Sequence, residues 1–274
     1  MNYTEYVALV DTTRDELRER IELARKRFDR LVRTADPLAR PPGSRWTVQQ
    51  VVAHVLTVAH RYHELAHGRQ YRRAGAAREV AMINQVELDA ALAPVSELAD
   101  QLRALAPELD GYFDTLTDDR PTLTFHAGAV VDGITAQTNW LGELLLHGHD
   151  IARAINAPWE LPERDMLLVS RGMMQIGSGY PLRAGVKPET DLCVVFQLPG
   201  ARPYLAHIQG GTAQFRARRP DDRPDAVLQA PASTFALMLY QRIGPLIAAR
   251  HGLRIVGGRR PWRALKLQSF FEQP

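Results

Sequence analysis

The chain has 274 residues, enough for one large domain or two moderate ones with a sizeable buried core. Its 45% hydrophobic and 24% charged residues are ordinary globular proportions and exclude extensive disorder. The net charge of +3 comes from bases that alternate with acids, as in Arg14, Asp15, Glu16, Arg18, Glu19 and Arg20, and the arginine clusters at 69–73, 216–219 and 259–263 carry no recognised nucleic-acid motif.

Cys193 is the only cysteine, which excludes an intrachain disulfide and a thiolate-rich metal site and suits a reducing compartment. The first twenty residues carry acids where a signal peptide needs a basic then apolar run, and no apolar stretch approaches a membrane span. The expectation is a cytoplasmic protein, monomer or homodimer, with neither nucleic acid nor membrane as partner.

The first half reads as helices. Between residues 10 and 31, Val10, Leu17, Ile21, Ala24, Phe28 and Leu31 mostly recur three or four apart, the spacing of one buried stripe. Three prolines in 36–43 break the chain. A second helix starts at Thr47, where Thr47 and Gln50 make a capping box and Trp46 and Val51 a hydrophobic staple, and it runs through Leu65. Residues 68–75 read as an exposed basic loop. A third helical region, 79–116, is expected to break at Pro94 and again near Pro107. A fourth helix covers 134–155. Four long helices with loops between them predict an up-and-down bundle over residues 1–160.

The pattern changes after Trp159 and Pro162. One more helix, 164–176, and a glycine- and proline-bearing linker, 177–188, lead to period-two segments at 192–198, 204–208 and 214–217, with Gly210 and Gly211 as a hairpin turn. A short strand at Val227 and Leu228, a helix over 232–250, a strand at 253–256 and a helix over 261–271 complete an α+β unit spanning 161–274.

Glu143 and His147 stand four residues apart, about 40° apart around the helix axis and one turn along it. Trp140, Leu144 and Ile151 flank that face, so both point toward the bundle interior or its rim, where they need a partner. His54 lies on the same side of its helix as Val51, Val55, Val58 and Leu65. Two histidines and a carboxylate from two helices, with a position left for water or ligand, are a usual donor set for catalytic zinc, and other first-row metals accept it too. The plain alternative is a hydrogen-bonded core histidine beside an ordinary Glu–His helical pair. His60, His63 and His67 form a rival cluster but lie opposite the apolar stripe and read as surface residues. Asp150 is either a support for the second nitrogen of His147 or half of a surface ion pair, with Arg153 as its nearest candidate partner.

The segments SRWTVQQVVAHVLTVAHR and WLGELLLHGHDIARAI resemble the mycothiol-dependent maleylpyruvate isomerase family, within the DinB-like metal-binding four-helix bundles. In that family a Trp-Thr helix start precedes the first histidine and a later Glu-x-x-x-His completes a zinc site. The resemblance therefore implies His54, Glu143 and His147 as ligands of zinc or another divalent metal. Residues 192–271 are similar to the sterol-carrier-like domain that often follows the bundle, most clearly over 225–271. His149 departs from the family, which often has tryptophan there. The resemblance implies mycothiol, a low-molecular-weight thiol, as cofactor or cosubstrate, and an electrophilic small molecule as its target, in cis–trans isomerisation or S-transfer. His149 and Asp150 are candidates for proton handling, and Arg254, Arg259 and Arg260 for reaching an anionic substrate or thiol. A metal-dependent hydrolase of a small amide and a non-catalytic carrier of an apolar ligand remain open beside it.

Overall fold

The computed structural model describes residues 7–117, 121–177, 182–183 and 185–271. Helix α1 (Arg14–Thr34) begins at Thr13, whose hydroxyl accepts the amide of Glu16 at 3.2 Å. It buries Leu17, Ile21, Ala24, Phe28 and Leu31; Val10 is buried too, but ahead of the helix. Helix α2 (Val48–Ala66) has the expected capping box: the Gln50 amide donates to the Thr47 hydroxyl at 3.3 Å, and the Thr47 amide to Gln50 Oε1 at 2.9 Å. These two bonds fix where α2 starts, and so the height of His54 along it.

Helices α3 (Ala77–Ala91) and α4 (Val95–Thr115) divide at Pro94, but Pro107 lies inside α4 and does not break it. The ring removes one intrahelical hydrogen bond, while Leu98, Ala106, Leu109 and Phe113 stay buried on both sides of it. That apolar face outweighs the local penalty. A two-stranded hairpin that the sequence pattern did not reveal, β1 (Leu123–Thr124) and β2 (Val130–Val131), then leads into α5 (Gly133–Ala154), whose start is fixed by Asp132 accepting the Thr135 amide at 2.6 Å. Helices α1, α2, α4 and α5 form the bundle, with α3 packed on α2. No helix among the described residues is long and apolar enough to cross a membrane.

Helix α6 (Glu163–Gly177) packs on α5, and the two approach closely at Gly172, where a Cβ would stand 2.2 Å from Thr138 Oγ1. The remaining strands are β3 (Leu192–Gln197), β4 (Tyr204–Gln209), β5 (Thr212–Ala217), β6 (Ala226–Gln229) and β7 (Arg254–Gly257), in the order β5-β4-β3-β6-β7. All neighbours are antiparallel except β3 with β6. Gly210 and Gly211, at φ 58° and 76°, make the tight turn between β4 and β5. Val194, Phe196 and Leu228 join the main core, whereas Val195, Leu205 and Val227 form a separate cluster. The main core is one body running from Leu9 to Ala264 through both halves of the chain.

The helix expected over 232–250 is broken. Helix α7 (Ala232–Leu239) stops before a turn in which Gln241 has φ 58°, and α8 (Pro245–Arg250) restarts with Pro245 in its first turn. Proline is preorganised for a helix start but cannot continue one. Residues 261–270 form 3-10 turns instead of the α-helix expected over 261–271.

Candidate metal centre

Helices α2 and α5 pack side by side. His54 belongs to the buried face of α2 with Val51, Val55 and Val58, and Glu143 and His147 lie one turn apart on α5. The helix phases bring the three side chains together. Nε2 of His54 is 3.6 Å and Nε2 of His147 3.2 Å from the same atom, Oε2 of Glu143. One ligand atom from each residue lies within 4.8 Å of the other two. The two imidazoles meet edge to face, with centroids 5.0 Å apart, and the Trp46 ring backs His54 at 4.9 Å.

Oε2 of Glu143 is buried and makes no hydrogen bond of acceptable geometry, although two imidazole nitrogens face it, and Nδ1 of His54 is buried without a partner. A buried charge left in this state is costly, and a divalent cation shared by the three groups removes the cost. The donor set, two imidazoles and one carboxylate, fits zinc with an open fourth position. Burial disfavours charge on Glu143, yet the imidazoles of His147 and His54 facing it hold its carboxyl well below the usual range. Burial pushes the His54 imidazole down toward its neutral, ligating form.

Asp150 lies one turn beyond His147. Its Oδ2 is 3.4 Å from His147 Nδ1, the position from which a carboxylate orients an imidazole. Its ion-pair partner is not Arg153 but Arg242, from the turn after α7, whose Nε and Nη2 reach the carboxylate at 2.9 and 2.7 Å. The Asp150 carboxyl is depressed in spite of burial by His147 and Arg242. Nothing in the sequence marks Arg242 as the partner, because the pairing crosses 92 positions and two different halves of the fold.

The three groups stand on one wall of a partly open cavity of about 640 Å³ lined by the bundle and by the C-terminal sheet and helices. Its bundle side carries Arg61, Tyr62, Tyr71, His126 and Asn139, none of which the sequence pattern singled out. Tyr71 belongs to the segment expected as an exposed loop but is only partly exposed and lines the cavity. The Tyr62 hydroxyl donates to the Ala136 carbonyl at 3.0 Å and accepts from Asn139 at 3.3 Å. His126 accepts the Ala74 amide at 2.9 Å, and burial lowers its pKa to about 4, so it is neutral near pH 7.

His149, Arg254, Arg259 and Arg260 are outside this lining. Arg259 and Arg260 turn instead to the buried Asp225 carboxylate, at 3.8 and 2.8 Å, where Arg263 joins them at 3.1 Å. Arg254 is exposed on β7. His63 and His67, read as surface residues, are half-buried and exposed and share Oε1 of Glu108 on α4 at 2.9 and 3.1 Å. That second group also has metal-compatible spacing, but none of its members lines the cavity.

A family model for the mycothiol maleylpyruvate isomerase N-terminal domain matches residues 13–152, just over half of the 274-residue chain. Among solved structures, the crystal structure of the mycothiol-dependent maleylpyruvate isomerase superposes with a TM-score of 0.54 at 14% identity, covering 93% of this chain and 98% of that one. A histidine-to-alanine mutant of that isomerase superposes with a TM-score of 0.53 at 13% identity over the same shares. At these identities the likeness is one of fold. No curated protein matches the chain.

Proposed function

We propose, from the premise that this chain belongs to the mycothiol maleylpyruvate isomerase family, that it is a metal-dependent enzyme using a low-molecular-weight thiol, mycothiol, on an electrophilic small molecule. The observation that carries the proposal is the convergence of His54 Nε2, His147 Nε2 and Glu143 Oε2 on the wall of a ligand-sized cavity. In this reading those three residues hold zinc, or another divalent metal, and residues 1–160 and 161–274 act as metal-binding bundle and covering domain. Bound there, the metal would hold a coordinated thiol deprotonated at neutral pH.

The protein's own groups do the rest. Asp150, clamped by Arg242, keeps the His147 ring oriented with Nε2 toward Glu143. The thiolate sulfur adds to an electrophilic carbon conjugated to a carbonyl, and the π pair moves to the carbonyl oxygen. Rotation about the new single bond, followed by return of the pair and loss of sulfur, isomerises the double bond. Protonation at carbon instead leaves an S-adduct. Both outcomes share one first step, and the family name favours isomerisation.

Replacement of the metal by cobalt provides the test. Mycothiol added to the cobalt protein should produce a thiolate-to-cobalt charge-transfer band that saturates at one thiol per chain. Full cobalt occupancy with no spectral change on adding mycothiol would sink the thiol reading.

A further inference from the structure

The cavity has a bundle side and a C-terminal lobe. On the bundle side Arg61, Tyr62, Asn139, Glu143, His147 and Asp150 stand among apolar residues such as Val51, Val58 and Leu146. Across from these, the C-terminal half contributes Phe196, Phe215, Leu228, Phe235, Met238 and Leu267. Phe196 and Phe235 pack with ring centroids 4.8 Å apart, and both belong to the buried core, so this wall is built by the sheet and α7 together. It offers a ligand dispersion contacts and exclusion from water.

The cations that line the cavity are already committed. Arg61 meets Glu87 at 2.6 Å and Asn84 at 2.6 Å, and Arg242 is engaged with both oxygens of Asp150. Among the described residues, no other arginine or lysine lines it. With the metal's charge matched by Glu143 and a bound thiolate, a small dianion would bring two further charges into a cavity whose side-chain cations are already paired, which is unfavourable. A cavity of about 640 Å³ is also of the size that encloses drug-sized ligands.

We infer that the electrophile is an α,β-unsaturated carbonyl compound with an extended apolar tail, the tail lying in the C-terminal lobe and the reactive carbon facing His54, Glu143 and His147. The inference rests on the thiol reading above for its reactive end and on the cavity alone for its tail. The thiol, being polar, takes the lobe on the bundle side. In the addition, the S–H and C=C π bonds break and the C–S and C–H bonds form, with no change in net oxidation state.

The test uses the holoprotein with mycothiol and a series of trans-2-alkenals from four to twelve carbons, following loss of the conjugated absorbance. The expected result is kcat/KM rising by up to about fourfold per added methylene until the lobe is full, with an unsaturated dicarboxylate of similar length a poor substrate. A flat series, or a preference for the dicarboxylate, overturns the inference and leaves the thiol reading standing. Absence of turnover with every member, together with no cobalt response to mycothiol, is instead the failure of the thiol reading. The tail is then judged by binding alone, through displacement of N-phenyl-1-naphthylamine by n-alkanols of the same lengths. Displacement that strengthens with length supports the apolar lobe, and displacement that does not refutes it. Met238→Trp, which narrows the lobe, should shorten the best chain while leaving metal content unchanged. An unaltered optimum in folded Met238→Trp protein counts against the inference.

Discussion

Arg242 holds Asp150 through two parallel hydrogen bonds, Nε to Oδ1 at 2.9 Å and Nη2 to Oδ2 at 2.7 Å, and Asp150 in turn lies 3.4 Å from Nδ1 of His147. The C-terminal half thus reaches the candidate metal centre through a carboxylate. Such a fork-to-carboxylate contact fixes orientation as well as charge. Replacing Arg242 with methionine should leave Asp150 without its counterion and let the His147 ring relax. Metal affinity should fall by about 10–100-fold, measured by competition with a chromophoric chelator, and Arg242→Lys should recover part of the loss. Unchanged affinity in a folded Arg242→Met protein would show that the clamp does not bear on the metal.

Glu16 ties α1 to α6. Arg164 donates to it at 2.7 and 2.6 Å, Arg20 at 3.0 Å and Thr12 at 2.8 Å, and Arg164 above all lowers its carboxyl from 4.5 to about 2. A depressed carboxyl binds its proton more readily in the unfolded chain, so its stabilisation is whole above pH 4.5 and disappears as the pH falls toward 2. With allowance for solvent screening, Glu16→Gln should cost about 1–2 kcal/mol at pH 7. Urea unfolding at pH 7 and at pH 3 should show the gap between the two proteins narrowing at the lower pH. A gap that stays constant would mean that shape, not charge, accounts for it.

Gly148 separates His147 from His149, and its missing Cβ makes room for Trp159. A methyl there would stand 2.2 Å from the indole, which donates to the Leu145 carbonyl at 3.0 Å and carries Arg27 stacked at 4.5 Å. Alanine would improve helix propensity by about 1 kcal/mol, but overpacking costs about 1–3 kcal/mol. The steric effect should win because the Trp159 ring is held on both sides. Gly148→Ala is therefore expected to lower the melting temperature by several degrees, at about 2–4 °C per kcal/mol. A higher melting temperature would mean that Trp159 moves away without loss.

The sequence was most informative where the physics is local. The start of α2 depends on Thr47 and Gln50 alone, three positions apart, and the inward phase of His54, Glu143 and His147 follows from their spacing against neighbouring apolar residues. Pro107 misled for the opposite reason, since its cost is local but the burial that outweighs it comes from helices elsewhere in the chain. The turn at 240–244 is only half marked in the sequence: Gly244 and Pro245 form a breaker pair, whereas its left-handed residue, Gln241, carries no turn signal. Arg242 with Asp150, and Glu108 with His63 and His67, are pairings across large separations that only the packed fold creates. The arginines at 259 and 260 were visible, but Asp225, the group that claims them, was not recognisable as their partner.

If His54, Glu143 and His147 hold one divalent metal, the metal-to-protein ratio of purified wild-type, Glu143→Ala and His67→Ala proteins after dialysis, by elemental analysis, reports it. The expected ratio is about one in the wild type, none in Glu143→Ala and about one in His67→Ala. Metal that survives in Glu143→Ala but is lost in His67→Ala would contradict it and assign the ion to the group at Glu108.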